Sequence, residues 1–117
     1  MTGALGVHFA PSCRMAQLVH VHRTMIRTPS GATYVARTYA ERDRFGMWIG
    51  WLEFMPASGL GPTLRTNSET SQPSFEMVGY WASGLEPIYF EGAFERAYVA
   101  VKRWRSSHPE RHHAAYE

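Results

Sequence analysis

The clearest hydrophobic pattern in the chain covers residues 46–56, a run of aromatic and aliphatic side chains with one charge, Glu53. A short apolar run that is bounded by glycine and proline predicts a β-strand. Because side chains alternate along a strand, this run has two faces. We therefore expect residues 46–56 to form the strand around which the rest of the chain is organised.

The two faces of this strand have different expected surroundings. The first consists of Trp48, Gly50, Leu52 and Phe54. It is uncharged and has a glycine gap at which another element can approach closely, so we expect it to face the core. The second consists of Met47, Ile49, Trp51, Glu53 and Met55. It is also largely apolar, but its carboxylate favours a position outside the interior.

The residues on either side of this strand predict two more strands. Residues 34–41 alternate well enough for a strand, and the polar loop that follows ends in Gly46. A loop of that length joins antiparallel neighbours, which predicts a hairpin over residues 34–56. Residues 63–66 are a short third strand. Together they predict a three-stranded antiparallel meander that begins near Tyr34.

Two amphipathic helices are predicted after the meander. Thr66 and Glu69 have the spacing of a capping box, and Pro73 suits a first helical position, so the first helix is predicted over residues 73–83 with Gly84 as its C-terminal cap. The second begins near Pro87 and lasts roughly 16–19 residues. Its apolar stripe consists of Phe90, Ala93, Phe94, Ala97, Val101 and Trp104.

This order of elements predicts the fold class α+β, with a three-stranded antiparallel meander and two C-terminal helices packed on one face. We expect one domain at residues 34–104, preceded by an N-terminal arm at 1–33 and followed by a flexible polar tail at 105–117. Residues 1–24 show no clear period. They form either a flexible arm or added strand, or an over-long start with translation beginning at Met25.

The arm contains His20 and His22, which alternate as residues on one face of a strand do. Two histidines make a weak metal site, and no third ligand stands nearby at a recognised spacing. The sequence therefore favours two solvent-facing histidines. It predicts no metal and no cofactor.

Charge and hydropathy narrow the range of partners. Residues 34–101 contain five arginines and eight acidic residues, a formal charge of −3, whereas the whole chain is at +2. A nucleic-acid surface needs cations clustered on the folded domain, so we do not expect nucleic acid as the partner. No apolar run reaches the 18 residues of a membrane span. The single cysteine, Cys13, fits a reducing compartment, and we expect a cytoplasmic location.

Catalysis is not predicted. Residues 34–101 contain no histidine and no cysteine, and their acidic residues form no paired motif. A general base would have to be a glutamate, for which Glu53 beside Trp51 is the candidate. The alternative is that Glu53 is a strand carboxylate paired across the sheet with Arg37.

Residues 34–101, which are 68 of the 117 residues, resemble small, uncharacterised bacterial proteins that share a Trp-x-Gly-Trp-Leu-Glu-Phe strand, here residues 48–54. The resemblance includes a Thr-Gln-Pro-like helix entry at 71–73, then Tyr80-Trp81-Ala82 and Gly-Leu-Glu-Pro at 84–87. It implies no activity. In layout, the hairpin, short strand and helix are similar to HicB-type antitoxins, although a second helix is added here and no DNA-binding segment is evident. That similarity implies a nucleic-acid-associated regulator as an alternative.

The functional expectation comes from the second face of the central strand. If two helices cover the first face, the apolar second face is left without a cover, and a contiguous apolar patch commonly meets a partner. We expect a binding module that self-associates there, with Trp51 as the anchor and Arg37 and Glu53 as a polar rim. Another protein partner is the alternative, as is coverage of this face by residues 1–24.

Overall fold

The computed structural model describes residues 15–107. Within them the chain forms five strands followed by two helices. The strands are β1 (Gln17–Arg27), β2 (Thr33–Arg42), β3 (Trp48–Pro56), β4 (Leu64–Arg65) and β5 (Thr70–Gln72). The helices are α1 (Phe75–Ser83) and α2 (Pro87–Ser107). Both lie C-terminal to the sheet, so the predicted α+β class is confirmed.

The sheet is larger than the predicted meander of three strands. All pairings are antiparallel, the order is β1-β2-β3-β4, and β5 also pairs with β3. The central strand thus pairs with β2 along one edge and with both short strands along the other. Among the described residues, regular structure begins at Gln17 rather than near Tyr34, so residues 17–24 belong to an added strand. Residues 1–14, which belong to the predicted arm, lie outside the described part of the chain.

The pairing of β1 with β2 is interrupted twice. The register shifts between Leu18 and His20, and again between Val21 and Met25. Such irregularities insert extra residues into one strand and change which side chains face inward. They explain why the sequence of β1 has no clean two-residue period.

The core lies between the sheet and the helices. Its buried members are Ile26, Ala36, Leu52, Phe54, Leu64, Phe90, Ala93 and Ala97. The uncharged face of β3 therefore points inward at Leu52 and Phe54, as predicted, while Trp48 is only half-buried against the edge of Phe75. In α2, Phe90, Ala93 and Ala97 are buried, but Trp104 at the far end of the predicted stripe is 42% exposed.

The helix boundaries differ from the prediction at two points. Ser74 is the N-cap of α1, and its hydroxyl accepts a hydrogen bond from the backbone N–H of Met77. Pro73 therefore lies before the helix, and Thr66 and Glu69 form no capping box for it. The second helix extends over 21 residues to Ser107, which takes in the start of the predicted tail. Residues 108–117 of that tail lie outside the described residues.

Gly50 is the glycine gap that the sequence of β3 contains, and it allows the closest contact between the sheet and α1. A Cβ atom on Gly50 would lie 2.9 Å from Thr70 Cγ2 and 3.0 Å from Val78 Cγ1. Both distances are too short for carbon atoms in ordinary contact. The expectation that another element approaches closely here is correct.

We expect Gly50→Ala to lower the free energy of unfolding by about 1–3 kcal/mol, since an added methyl group overpacks a site between buried side chains. Urea denaturation measures the change. Gly84→Ala is the matched control, because the nearest atom to its added Cβ is 3.8 Å away and its φ is −96°. Equal denaturation midpoints for the two variants would show that α1 does not depend on the gap at Gly50.

Candidate functional site

The sheet has one face that the helices do not cover, which we call the open face. Side chains directly opposite each other on neighbouring strands share a face, so the register assigns its members. They are Leu18, Val21, Met25 and Arg27 of β1, Thr33, Val35, Arg37, Tyr39 and Glu41 of β2, Ile49, Trp51, Glu53 and Met55 of β3, Arg65 of β4 and Ser71 of β5. Eight of these fifteen side chains are apolar or aromatic.

The most exposed apolar part of the open face lies on β1. Leu18, Val21 and Met25 pair with Tyr39, Arg37 and Val35 of β2. Each of the three β1 side chains is about half exposed. The sequence assigned them to an arm, so these contributors to the face were missed. Only the register of β1, with its two shifts, places them beside β2.

Trp51 is not an exposed anchor. It lies on the open face but is only 3% exposed. The guanidinium of Arg65 lies over its ring, 4.1 Å from the centroid, and Tyr39 stacks beside it with ring centroids 6.4 Å apart. The prediction that Trp51 is available to a partner is therefore wrong. Its own neighbours on the sheet cover it, as stacking of an arginine on an indole allows.

Glu53 and Arg37 are cross-strand neighbours, as predicted, but they form no salt bridge in the described part of the chain. Glu53 Oε2 instead accepts a hydrogen bond from Nε1 of Trp51, at 2.9 Å. The Nε atom of Arg37 is buried and has no hydrogen-bond partner among residues 15–107. An unpaired buried donor of this kind is costly.

The remaining predicted site residues lie around this centre. Ile49 and Met55 are half-buried on the open face of β3. Met47 lies before the strand in the β2–β3 turn, where its N–H donates to Asp43 Oδ1 at 2.9 Å. The structure thus brings together Arg37, Glu53, Ile49 and Met55, and places Met47 at the margin.

His22 lies on the opposite, core-facing side of β1. It is 7% exposed, and its Nε2 shares a 2.6 Å hydrogen bond with the hydroxyl of Thr38. Its ring meets Phe90 of α2 edge-on at 4.6 Å and His20 at 4.6 Å. Burial, with a smaller contribution from His20, lowers the pKa of His22 to about 4. The expectation of two solvent-facing histidines is correct for His20 and wrong for His22.

Glu69 has a role that the sequence did not predict. One of its carboxylate oxygens accepts hydrogen bonds from the hydroxyl of Tyr89 and, at 2.6 Å, from the guanidinium of Arg96. Burial and the contact with Glu69 raise the pKa of Tyr89 to about 12, so its hydroxyl stays protonated. The three side chains fasten the loop before β5 to α2. This arrangement supports packing, because its hydrogen bonds join two elements that are distant in sequence.

A cleft of about 690 Å³ lies between the β1–β2 turn and the C-terminal half of α2. Its volume is in the range of small-molecule sites. Tyr34, Phe94 and Tyr98 give it an aromatic floor. Its charged lining residues are Arg27, Glu91, Glu95 and Arg105. Two arginines and two glutamates balance, so the lining selects neither an anion nor a cation.

The described residues contain no group of three or more histidine, cysteine or acidic side chains that could hold a metal ion. No helix between residues 15 and 107 is long and apolar enough to cross a membrane. Glu53, the candidate general base, faces an indole N–H rather than a second proton-transfer group.

These features define a small α+β protein with two helices on one side of an antiparallel sheet and a partly apolar face on the other. Comparison with protein-family models, with curated proteins and with solved structures finds no match to this chain.

Proposed function

We propose that this chain is a small, non-catalytic interaction module that forms a homodimer through its open face. The observation that carries the proposal is the row of half-exposed apolar side chains on β1, Leu18, Val21 and Met25, which continues through Val35 to Met55 on the next two strands. Contiguous apolar surface of this kind commonly meets another protein. Two copies of one sheet face pack readily, because sheets stack about 10 Å apart with interdigitating side chains.

The size of the open face supports a dimer of modest affinity. Strands are about 4.8 Å apart and rise about 3.3 Å per residue, so the 35 residues of the five strands present about 500–600 Å² on one face. A symmetric pair would bury about 1,000–1,200 Å² in total, which is at the lower limit of specific interfaces. We therefore expect dissociation upon dilution in the micromolar range rather than a permanent assembly.

The polar groups of the open face suit a two-fold partner. In an isologous interface each copy supplies the same patch and contacts are reciprocal, so an Arg37–Glu53 contact between protomers would form twice. Charge pairs of this kind set register and specificity more than affinity.

We expect Met25→Lys to weaken self-association by about tenfold or more, because it places a charge within the apolar row. Sedimentation velocity over a dilution series measures the change. Met77→Lys is the matched control: Met77 is 43% exposed and Met25 53%, but Met77 lies on α1, away from the open face. Both substitutions are at exposed positions and should leave folding intact.

Three outcomes distinguish the possible occupants of the open face. A wild-type chain that stays monomeric at high micromolar concentration contradicts the dimer. If Met77→Lys disrupts the dimer and Met25→Lys does not, the interface lies on the helices. A monomer whose open face is protected from solvent exchange only when residues 1–14 are present would assign the face to the chain's own N-terminal segment.

A further inference from the structure

The described part of the chain has three buried polar residues, which are His22, Thr38 and Thr66. Among these three, only His22 has an ionisable side chain. Thr66 is satisfied by backbone groups of β3 and its own loop. His22 joins three elements, since it belongs to β1, shares a hydrogen bond with Thr38 of β2 and contacts Phe90 of α2. One titratable side chain of β1 therefore contacts both β2 and α2.

The pairing of β1 with β2 is irregular around His22. No residue of β2 is in register with β1 between Val21 and Met25, and His22 lies within that gap. The hydrogen bond between its ring and Thr38 links the two strands there. Protonation would keep this hydrogen bond but bury a positive charge, which costs free energy unless the charge is paired.

The surroundings of His22 offer no compensation for a positive charge. On its own strand it faces His20, a second imidazole, which lowers the pKa of His22 rather than compensating a charge there. On β2 it faces the neutral Thr38, whose neighbours Arg37 and Tyr39 belong to the open face. On α2 it faces Phe90, and the flanking Glu86 and Glu91 are exposed. Helix α1 approaches β1 at Gly79, which lies beside Val19. The charged residue of α1 is Glu76, and it is also exposed.

We propose that neutral His22 is a latch that strengthens the attachment of β1 to the sheet, and that its protonation in mildly acidic solution loosens β1. Because Leu18, Val21 and Met25 lie on β1, loosening would also weaken the open face as an interface. This second step rests on the proposed homodimer, whereas the loosening of β1 does not.

The direction and size of the effect follow from proton binding. The pKa of His22 is about 4 when buried and about 6.5 when β1 is detached, so the detached form binds more protons between these values. The free energy needed to detach β1 is greatest above pH 6.5, decreases as the pH falls, and becomes constant below about pH 4. At pH 5 the opening equilibrium should be about 30-fold larger than at pH 7.5.

Hydrogen exchange of the β1 amides tests the latch directly. It is measured at pH 7.5 and pH 5, corrected for intrinsic exchange rates, at a concentration low enough for the monomer. We expect wild-type β1 to lose about 30-fold protection at pH 5 relative to β3. His22→Gln keeps a hydrogen-bonding group for Thr38 but cannot become charged, so it should remove the pH dependence. His20→Gln is the matched control and should retain it.

Unchanged protection of wild-type β1 at pH 5, or equal pH dependence in wild type and His22→Gln, would overturn the latch. If His22→Gln does not fold, an NMR titration of the wild-type imidazole decides: a midpoint below about 5 supports the latch, and a midpoint near 6.5 overturns it. Sedimentation at the two pH values tests the homodimer separately. If β1 loses protection in acid but the chain is monomeric at pH 7.5, the latch is supported and the proposed homodimer is contradicted.

Discussion

A chain that begins at Met25 should fail to fold cooperatively. This truncation removes eight of the eleven residues of β1, including His22 and Val19, which lies beside Gly79 of α1. Both helices and β2 would lose a surface that they pack against. The loss should be comparable with the whole free energy of unfolding of a small domain, about 5–15 kcal/mol.

Far-UV circular dichroism and urea denaturation of residues 25–117 measure this effect. A chain of residues 15–117 is the control, because it retains β1 complete and separates its contribution from that of residues 1–14. If the 25–117 and 15–117 chains denature at the same midpoint, β1 contributes nothing to stability. That result would favour a protein that starts at Met25, the alternative that the sequence leaves open.

Much of the fold could be predicted because local patterns agree with tertiary packing. The run from 46 to 56 predicted β3, and its uncharged face predicted the burial of Leu52 and Phe54. The glycine in that face predicted the close approach that Val78 makes. Gly84 predicted the end of α1. In each case the signal lies within the element whose structure it predicts.

The errors arise where the cause is distant in sequence. The bulges of β1 are imposed by its pairing with β2, and they remove the alternation by which a strand is recognised. Glu69 has a capping-box spacing from Thr66, but Tyr89 and Arg96 bind its carboxylate, and the nearer Ser74 caps α1 instead. Tertiary contacts overrode a correct local signal.

Local alternation along β3 also predicted part of the candidate site. Alternation placed Ile49, Trp51, Glu53 and Met55 on one face of β3, and the register agrees. It could not show that Arg65, fourteen residues after Trp51, would lie over the indole. It also could not show that β1 would extend the face. The apolar surface is therefore displaced from Trp51 towards Leu18, Val21 and Met25.

Trp51→Ala should lower the stability of the monomer, by about 3–5 kcal/mol. The substitution removes a nearly buried indole, the stacking of Tyr39 and Arg65 on it, and the donor to Glu53. Trp51→Phe should cost less, since it keeps an aromatic ring beneath Arg65 and removes the N–H. Trp48→Ala is the control on the same strand. Trp48 is half-buried with one ring contact, so its truncation should cost about 1–2 kcal/mol.

Urea denaturation at a concentration where the wild type is monomeric separates this role from an interface role. The expected order of destabilisation is Trp51→Ala first, then Trp48→Ala and Trp51→Phe. A different order has a definite meaning. If Trp51→Ala unfolds like the wild type but dissociates the dimer, Trp51 is the exposed anchor that alternation on β3 suggests. Arg65 would then have to leave the indole when a partner binds, and Arg65→Ala would tighten the dimer rather than weaken the fold.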